Sequence, residues 1–139
     1  MRRPRSLTIL CIILFGLSLF NLLGAVSVAQ RWEFLRQQPL AVSPLYLAVG
    51  DAFWAAVLAA LTLGLWRRLD WARGATLPAY LGYLAHGWLN RLVFARADFV
   101  ATTYGWVAAV DVASALLVAL SVWRPKVRAW FNSRLKSEI

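Results

Sequence analysis

His86, Asn90 and Arg91 stand together inside an apolar stretch from Leu77 to Ala97, and Asp111 stands in the next one. A histidine that titrates near neutrality, a cation and a carboxylate are the parts of an intramembrane proton or ion path. The same groups suit a site for a lipid headgroup, a quinone or a small solute. They also suit a structural task, an ion pair that fixes the register of two helices where no water competes. With about 100° between successive helical residues, Tyr83, His86 and Asn90 share an arc of about 60°, and Arg91 lies about 140° round from His86. Leu81, Leu84, Ala85, Trp88, Leu89, Leu92 and Val93 occupy the other side. The helix is expected to turn its polar arc inward and its apolar arc to lipid.

Asp111 lies in line with Tyr104, Ala108, Ala115 and Val118. The first apolar stretch has a weaker line of Cys11, Ser18, Asn21 and Ala25, and the second has Asp51 and Thr62 on one face. Arg91 and Asp51 are each about 9 Å from an outer helix end, whereas Asp111 is about 18 Å in, so depth alone would pair Arg91 with Asp51. Side-chain direction selects differently. A helical Cβ leans toward its own N-terminus, so Arg91 on an ascending helix and Asp111 on the next, descending one converge. A lone charge at mid-bilayer costs about 2.5–3.5 kcal/mol, which favours a mutual partner. A buried Arg91–Asp111 pair is expected, with Asn90, Tyr104 or Tyr83 completing its hydrogen bonds.

The chemistry stops there. The sequence has no Gly-rich phosphate loop, no Ser or Cys nucleophile beside the histidine, no paired catalytic carboxylates and no zinc-protease motif. No enzymatic activity and no metal site are expected. The single cysteine, Cys11, allows neither an intrachain disulfide nor a cysteine-based metal site. His86 is expected to bond a core Tyr or Asn. Its one route to a cofactor is ligation of haem or chlorophyll, and a lone histidine cannot supply both axial ligands of a bis-His haem.

The elements that must position these groups are apolar blocks. The 139 residues are 61% hydrophobic and 15% charged, against roughly a quarter charged in soluble domains. The blocks are about twenty residues long, enough to cross a ~30 Å hydrocarbon core. An all-α integral membrane protein is expected, a single domain over 1–139 with spans at about 7–30, 45–66, 77–97 and 99–123. Unbroken apolar runs exclude a β-barrel, whose strands would alternate. Four antiparallel helices in one bundle satisfy every lipid-exposed backbone group internally.

Met1-Arg2-Arg3-Pro4-Arg5 ahead of the first block imitates a signal peptide, but the block is too long for one, so an uncleaved span is expected. The longest connection, from Arg31 to Ser43, mixes Trp32, Phe34 and Leu35 with charges, as interfacial segments do. It contains Pro39, and Ser43-Pro44 forms a helix start. A basic turn from Arg67 to Gly74 precedes a restart at Thr76 and Pro78, and Asp98 is the expected N-cap of the fourth span.

The basic residues fix an orientation. Arg2, Arg3, Arg5, Arg67, Arg68, Arg73, Arg124, Lys126, Arg128, Arg134 and Lys136 fall on one side, and only Arg31, Arg36 and Arg96 on the other. By the positive-inside rule both termini are cytoplasmic. The net charge of +9 thus matches an anionic inner leaflet, and nucleic-acid binding is not expected. In the tail, 124–139, Val127, Phe131 and Leu135 share a face, predicting a short amphipathic helix on the inner leaflet. Arg67, Arg68, Arg73, Arg124, Lys126, Arg128 and Trp130 are its expected leaflet contacts. Ala52, Ala56, Ala60 and Gly64 recur every fourth residue, a ridge of small side chains suited to close helix packing in lipid.

Gly64-Leu65-Trp66-Arg67-Arg68 closing the second span, Gly87-Trp88-Leu89-Asn90-Arg91-Leu92 in the third, and Arg124-Pro125-Lys126-Val127-Arg128-Ala129-Trp130-Phe131 after the fourth give a layout that resembles small uncharacterised four-span bacterial membrane proteins. The resemblance implies the fold and a bacterial inner membrane, and carries no activity. The function expected first is that of a non-enzymatic subunit or accessory protein packing against a larger membrane complex or its own copies. The alternatives are a small oligomeric transporter or channel using His86, Arg91 and Asp111, and a lipid-, quinone- or pigment-binding module.

Overall fold

The computed structural model describes residues 3–38, 42–94 and 97–135, and their side chains apart from those of 94–102 and 133–135. The expectations resting on Pro39, Arg96, Asp98, Leu135, Arg2, Arg134 and Lys136 lie outside this set.

Among the described residues every element is helical: α1 (Arg5–Gln30), α2 (Trp32–Gln37), α3 (Pro44–Trp66), α4 (Asp70–Phe94), α5 (Ala97–Trp123) and α6 (Pro125–Leu135). Three helical segments, Arg5–Gln30, Pro44–Trp66 and Thr103–Trp123, are long and apolar enough to cross a membrane. They make this a multi-pass membrane protein by length and composition. α4 is as long but carries Asp70, Arg73, His86, Asn90 and Arg91, and falls outside that group.

Local chemistry accounts for the boundaries. Ser43 caps α3 by accepting the Leu45 N–H at 3.2 Å, with Pro44 at the first helical position. The turn after α3 is shorter than expected. Arg68 adopts a left-handed conformation, φ 58°, while the Arg68 and Leu69 N–H groups return to the Leu65 and Gly64 carbonyls at 3.3 and 2.8 Å. This closes the helix by the reverse turn that usually employs glycine. α4 therefore begins at Asp70, and Pro78 sits inside it instead of opening it.

α1 and α3 form the most extensive contact. Leu7, Cys11, Leu14, Ser18 and Asn21 are buried along α1 in alternating steps of four and three, the spacing of a knobs-into-holes seam. Ser18 Oγ donates to the Ala55 carbonyl at 2.8 Å. Gly24 faces the Asp51 carboxylate so closely that a Cβ there would collide with it. These pairs run in opposite directions along the two helices, so α1 and α3 are antiparallel.

The apolar core is concentrated at one end. Leu7, Leu10 and Leu14 meet Leu58, Leu61 and Leu65, Val118 and Val122 of α5, and Val127, Trp130 and Phe131 of α6. α6 thus folds back onto the helices. Trp130 is 2% exposed and Val127 and Phe131 are as deeply buried. This corrects the expected amphipathic helix lying on the leaflet: its apolar face meets protein, and Trp130 is no leaflet contact. Elsewhere the long helices are apolar outward, with Ile12, Phe20, Leu23, Phe53 and Leu117 exposed and Trp106 at 76%.

Candidate functional site

α4 carries the polar residues, and it divides them between two neighbours. Tyr83, His86 and Asn90 face α3. The His86 ring lies between Tyr46 and Trp54, with ring centroids at 6.0 and 5.9 Å. Gly50 lies beside it, where a Cβ would stand 3.4 Å from Nε2, in ordinary contact. Tyr46 donates its hydroxyl to Asn90 Oδ1 at 2.8 Å, and Asn90 Nδ2 lies 3.1 Å from His86 Nε2. With the amide oxygen accepting from Tyr46, the amide nitrogen donates and Nε2 accepts, which places the imidazole proton on Nδ1. Ligation of haem or chlorophyll through Nε2 would have to displace this bond.

The same side reaches α1. Asn21 Nδ2 donates to the Leu17 carbonyl at 2.8 Å and to the Tyr83 hydroxyl at 3.2 Å. The Tyr83 ring meets Trp54 edge-on at 5.4 Å, and Trp54 also fills the space above Gly82. Asp51 lies within Coulombic reach of His86.

The opposite side of α4 faces α5. Arg91 Nη1 stands 3.6 Å from Asp111 Oδ2, which also accepts the Trp88 indole N–H at 2.9 Å. The Trp88 ring stacks on Tyr104 at 5.6 Å with 15° between planes, and the Arg91 guanidinium lies 5.7 Å from the Trp88 centroid. One turn nearer the core, Tyr80 donates to Ser114 Oγ at 2.9 Å, and Ser114 donates to the Asp111 carbonyl at 2.8 Å.

The expected cluster is therefore two networks. Two features of the sequence reading are corrected. The pair is not buried within the chain, because the Arg91 and Asp111 side chains are 44% and 19% exposed. Its hydrogen bonding is completed by Trp88, while Asn90 and Tyr83 serve the α3 and α1 side and Tyr104 contributes its ring face. Trp88 was assigned to lipid because its indole is apolar over most of its surface. Its position three residues before Arg91 was the available signal, since such neighbours share a helix face. Tyr46 and Trp54 had no comparable signal; only the packing of α3 against α4 brings them to His86.

The remaining candidates separate as well. Ala52, Ala56 and Ala60 are exposed, and only Gly64 is buried, where a Cβ would come 2.6 Å from Ala72 Cβ and 3.1 Å from Trp71. A four-residue repeat drifts by about 40° per step on a helix, so the ridge winds from an open face into the α3–α4 contact. Among the basic residues, Arg67, Arg124, Lys126 and Arg128 are exposed. Arg68 instead lays its guanidinium 4.0 Å from the Trp130 centroid, and Arg3 lies 3.7 Å over Trp66 while donating to its carbonyl at 2.9 Å. Arg73 lies 6.0 Å from the Phe131 ring, and its Nη1 is buried with no acceptor among the described residues.

Chemically, the networks consist of donors and acceptors that satisfy one another between α4 and its neighbours, α1 and α3 on one side and α5 on the other. Among the described residues, no three of His, Cys, Asp or Glu gather to hold a metal ion. Comparison of the chain with protein-family models, curated proteins and solved structures gave no match.

Proposed function

We propose that this chain is a non-enzymatic inner-membrane subunit or accessory protein that packs through its uncovered helix faces against a larger membrane complex or its own copies. The observation that carries this reading is the open Ala52–Ala56–Ala60 stretch of α3. Small side chains let helix backbones approach closely in lipid, and among the described residues nothing covers that face.

The topology that goes with it is four crossings with both termini cytoplasmic. Opposed contacts support it: Ser18 with Ala55, Trp54 with Tyr83, and Tyr80 with Ser114 relate α1 to α3, α3 to α4 and α4 to α5. If α1, α3 and α5 cross, α4 must return over the same thickness, and its 25 residues reach about 37 Å. The Arg/Lys asymmetry argues for which side is inside, and the resemblance of the layout to small four-span bacterial proteins supports an inner membrane.

The division of the polar residues weighs against a transporter built on His86, Arg91 and Asp111. A relay needs these groups on one path, whereas His86 bonds Asn90, which Tyr46 of α3 holds, and Asp111 of α5 meets Trp88 and Arg91 on another face of α4.

The test is purification of the tagged chain from its native host in mild detergent, followed by native mass spectrometry. Stoichiometric membrane subunits or a defined homo-oligomer are expected, and Ala56→Leu should dissociate them. A clean monomer would overturn the reading.

A further inference from the structure

At the α6 end, where the core is densest, a cleft of about 380 Å³ opens between α1, α4 and α5. Ile9, Ile13, Leu117 and Leu120 form its walls, and all four are exposed to whatever lies outside the chain. Its far end is the Tyr80–Ser114 hydrogen bond, already satisfied within the protein. Its mouth is different in kind. Arg5 opens α1, Arg124 follows α5, and both line the cleft.

Neither arginine has a hydrogen bond or a carboxylate partner among the described residues, and both are exposed. The mouth is also the N-terminus of α1. Pro4 caps it without a side-chain acceptor, and the Arg5 and Ser6 amides have no acceptor among the described residues. Free amides, the positive end of a helix dipole and two guanidinium groups together favour an anion. From Ser114 to Arg124 the cleft follows α5 for about 15 Å, half of a ~30 Å hydrocarbon core. An apolar trough one leaflet deep with a cationic mouth matches an acyl chain attached to an acidic headgroup.

We propose that this cleft is a binding site for one anionic glycerophospholipid, its phosphate held by Arg5 and Arg124 and one acyl chain lying between α1 and α5. The inference goes beyond the assembly reading, since a monomer would hold the site equally well. It assigns a role to arginines that contribute nothing visible to the chain's own packing. Arg3 and Arg68, by contrast, are committed to tryptophan rings.

The test is native mass spectrometry of the delipidated full chain titrated with three probes: phosphatidylglycerol, phosphatidylcholine with the same acyl chains, and glycerol 3-phosphate. One phosphatidylglycerol per chain is expected to survive gas-phase activation, with at least tenfold preference over phosphatidylcholine. Glycerol 3-phosphate is expected not to be retained. The double substitution Arg5→Gln/Arg124→Gln should abolish the preference, while Lys126→Gln/Arg128→Gln, which removes the same charge outside the cleft, should leave it intact. Leu117→Trp keeps both arginines and fills the trough, and should lower phosphatidylglycerol retention at least fivefold. The proposal is overturned by equal binding of the two lipids, by equal effects of the two double substitutions, by retention of glycerol 3-phosphate alone, or by full retention in Leu117→Trp. Should the first double substitution fail to fold, the lipid comparison and Leu117→Trp decide it alone.

Discussion

The two ends of the molecule are held by different forces. At the α6 end, leucines and valines from α1, α3, α5 and α6 close on one another, and Arg3 and Arg68 lie over tryptophan rings. At the other end few large side chains are buried, and the helices are tied by Tyr46–Asn90–His86, Asn21–Tyr83 and Arg91–Asp111–Trp88. The contrast follows from solvent. α6 has a polar exterior, so docking its apolar face removes it from water and gains the hydrophobic effect. Within lipid the tails are as apolar as leucine, so close contact and hydrogen bonds must select the neighbours. Stability is therefore expected to be concentrated at the α6 end, and specificity of helix pairing at the polar end.

The sharpest way to break this contrast is Phe131→Ala. Phe131 is 1% exposed at the centre of the α6 contact, and truncating such a ring costs about 3–5 kcal/mol. Thermal unfolding in detergent should show a large fall in midpoint, with Lys126→Ala, on the open face of α6, as the reference. Equal midpoints for the two would mean that α6 does not hold this end together. Gly64→Val comes next. A Cβ at position 64 would lie 2.6 Å from Ala72 Cβ, which is fixed to the α4 backbone, so relief requires the two helices to part, at about 1–3 kcal/mol. The Arg68 stacking on Trp130 should loosen with it, which a fall in tryptophan emission energy on exposure to water would register.

At the polar end the expected effects are smaller. Asn90→Leu removes the link between Tyr46 and His86 and should cost about 0.5–1.5 kcal/mol. Its more telling readout is the imidazole. With the amide donor gone, NMR of the His86 ring nitrogens should show the proton no longer confined to Nδ1. An unchanged tautomer would show that Asn90 does not set it.

Much of this was legible in the sequence, for identifiable reasons. Polar and small residues are conspicuous in an apolar run, so the Cys11–Ser18–Asn21 line marked the buried face of α1, and Ser43-Pro44 marked the start of α3. The lean of helical Cβ atoms pointed Arg91 toward Asp111 over Asp51. What was illegible concerns neighbours. An amphipathic face reads the same whether it meets lipid or protein, so Val127 and Phe131 gave no sign that α6 docks. The α3–α4 turn hid because Arg68, and not glycine, takes the left-handed position. Which arc of α4 faces α3 and which faces α5 depends on how three helices pack, and no single helix encodes that.

The Arg91–Asp111 contact is the smallest expected effect and the one that most sharpens the contrast. Arg91 is 44% exposed and the charges are 3.6 Å apart, so the pair resembles a surface ion pair, for which coupling is about 0.2–1 kcal/mol. Asp111 holds the Trp88 indole at 2.9 Å as well, so the singles should be unequal. Asp111→Asn retains an acceptor for Trp88 and removes the charge, Arg91→Gln removes the opposite charge, and Trp88→Phe removes the indole hydrogen bond. A double-mutant cycle of Arg91→Gln with Asp111→Asn, read by unfolding in detergent, isolates the charge term. Coupling of at most about 1 kcal/mol is expected there. Reconstitution into a bilayer would expose the other half of the argument, because losing water strengthens an ion pair. If coupling is larger in the bilayer than in detergent, lipid covers Arg91 and the pair is an intramembrane lock. Equal coupling in both would place this end of α4 in water and would remove the polar end from the membrane part of the comparison.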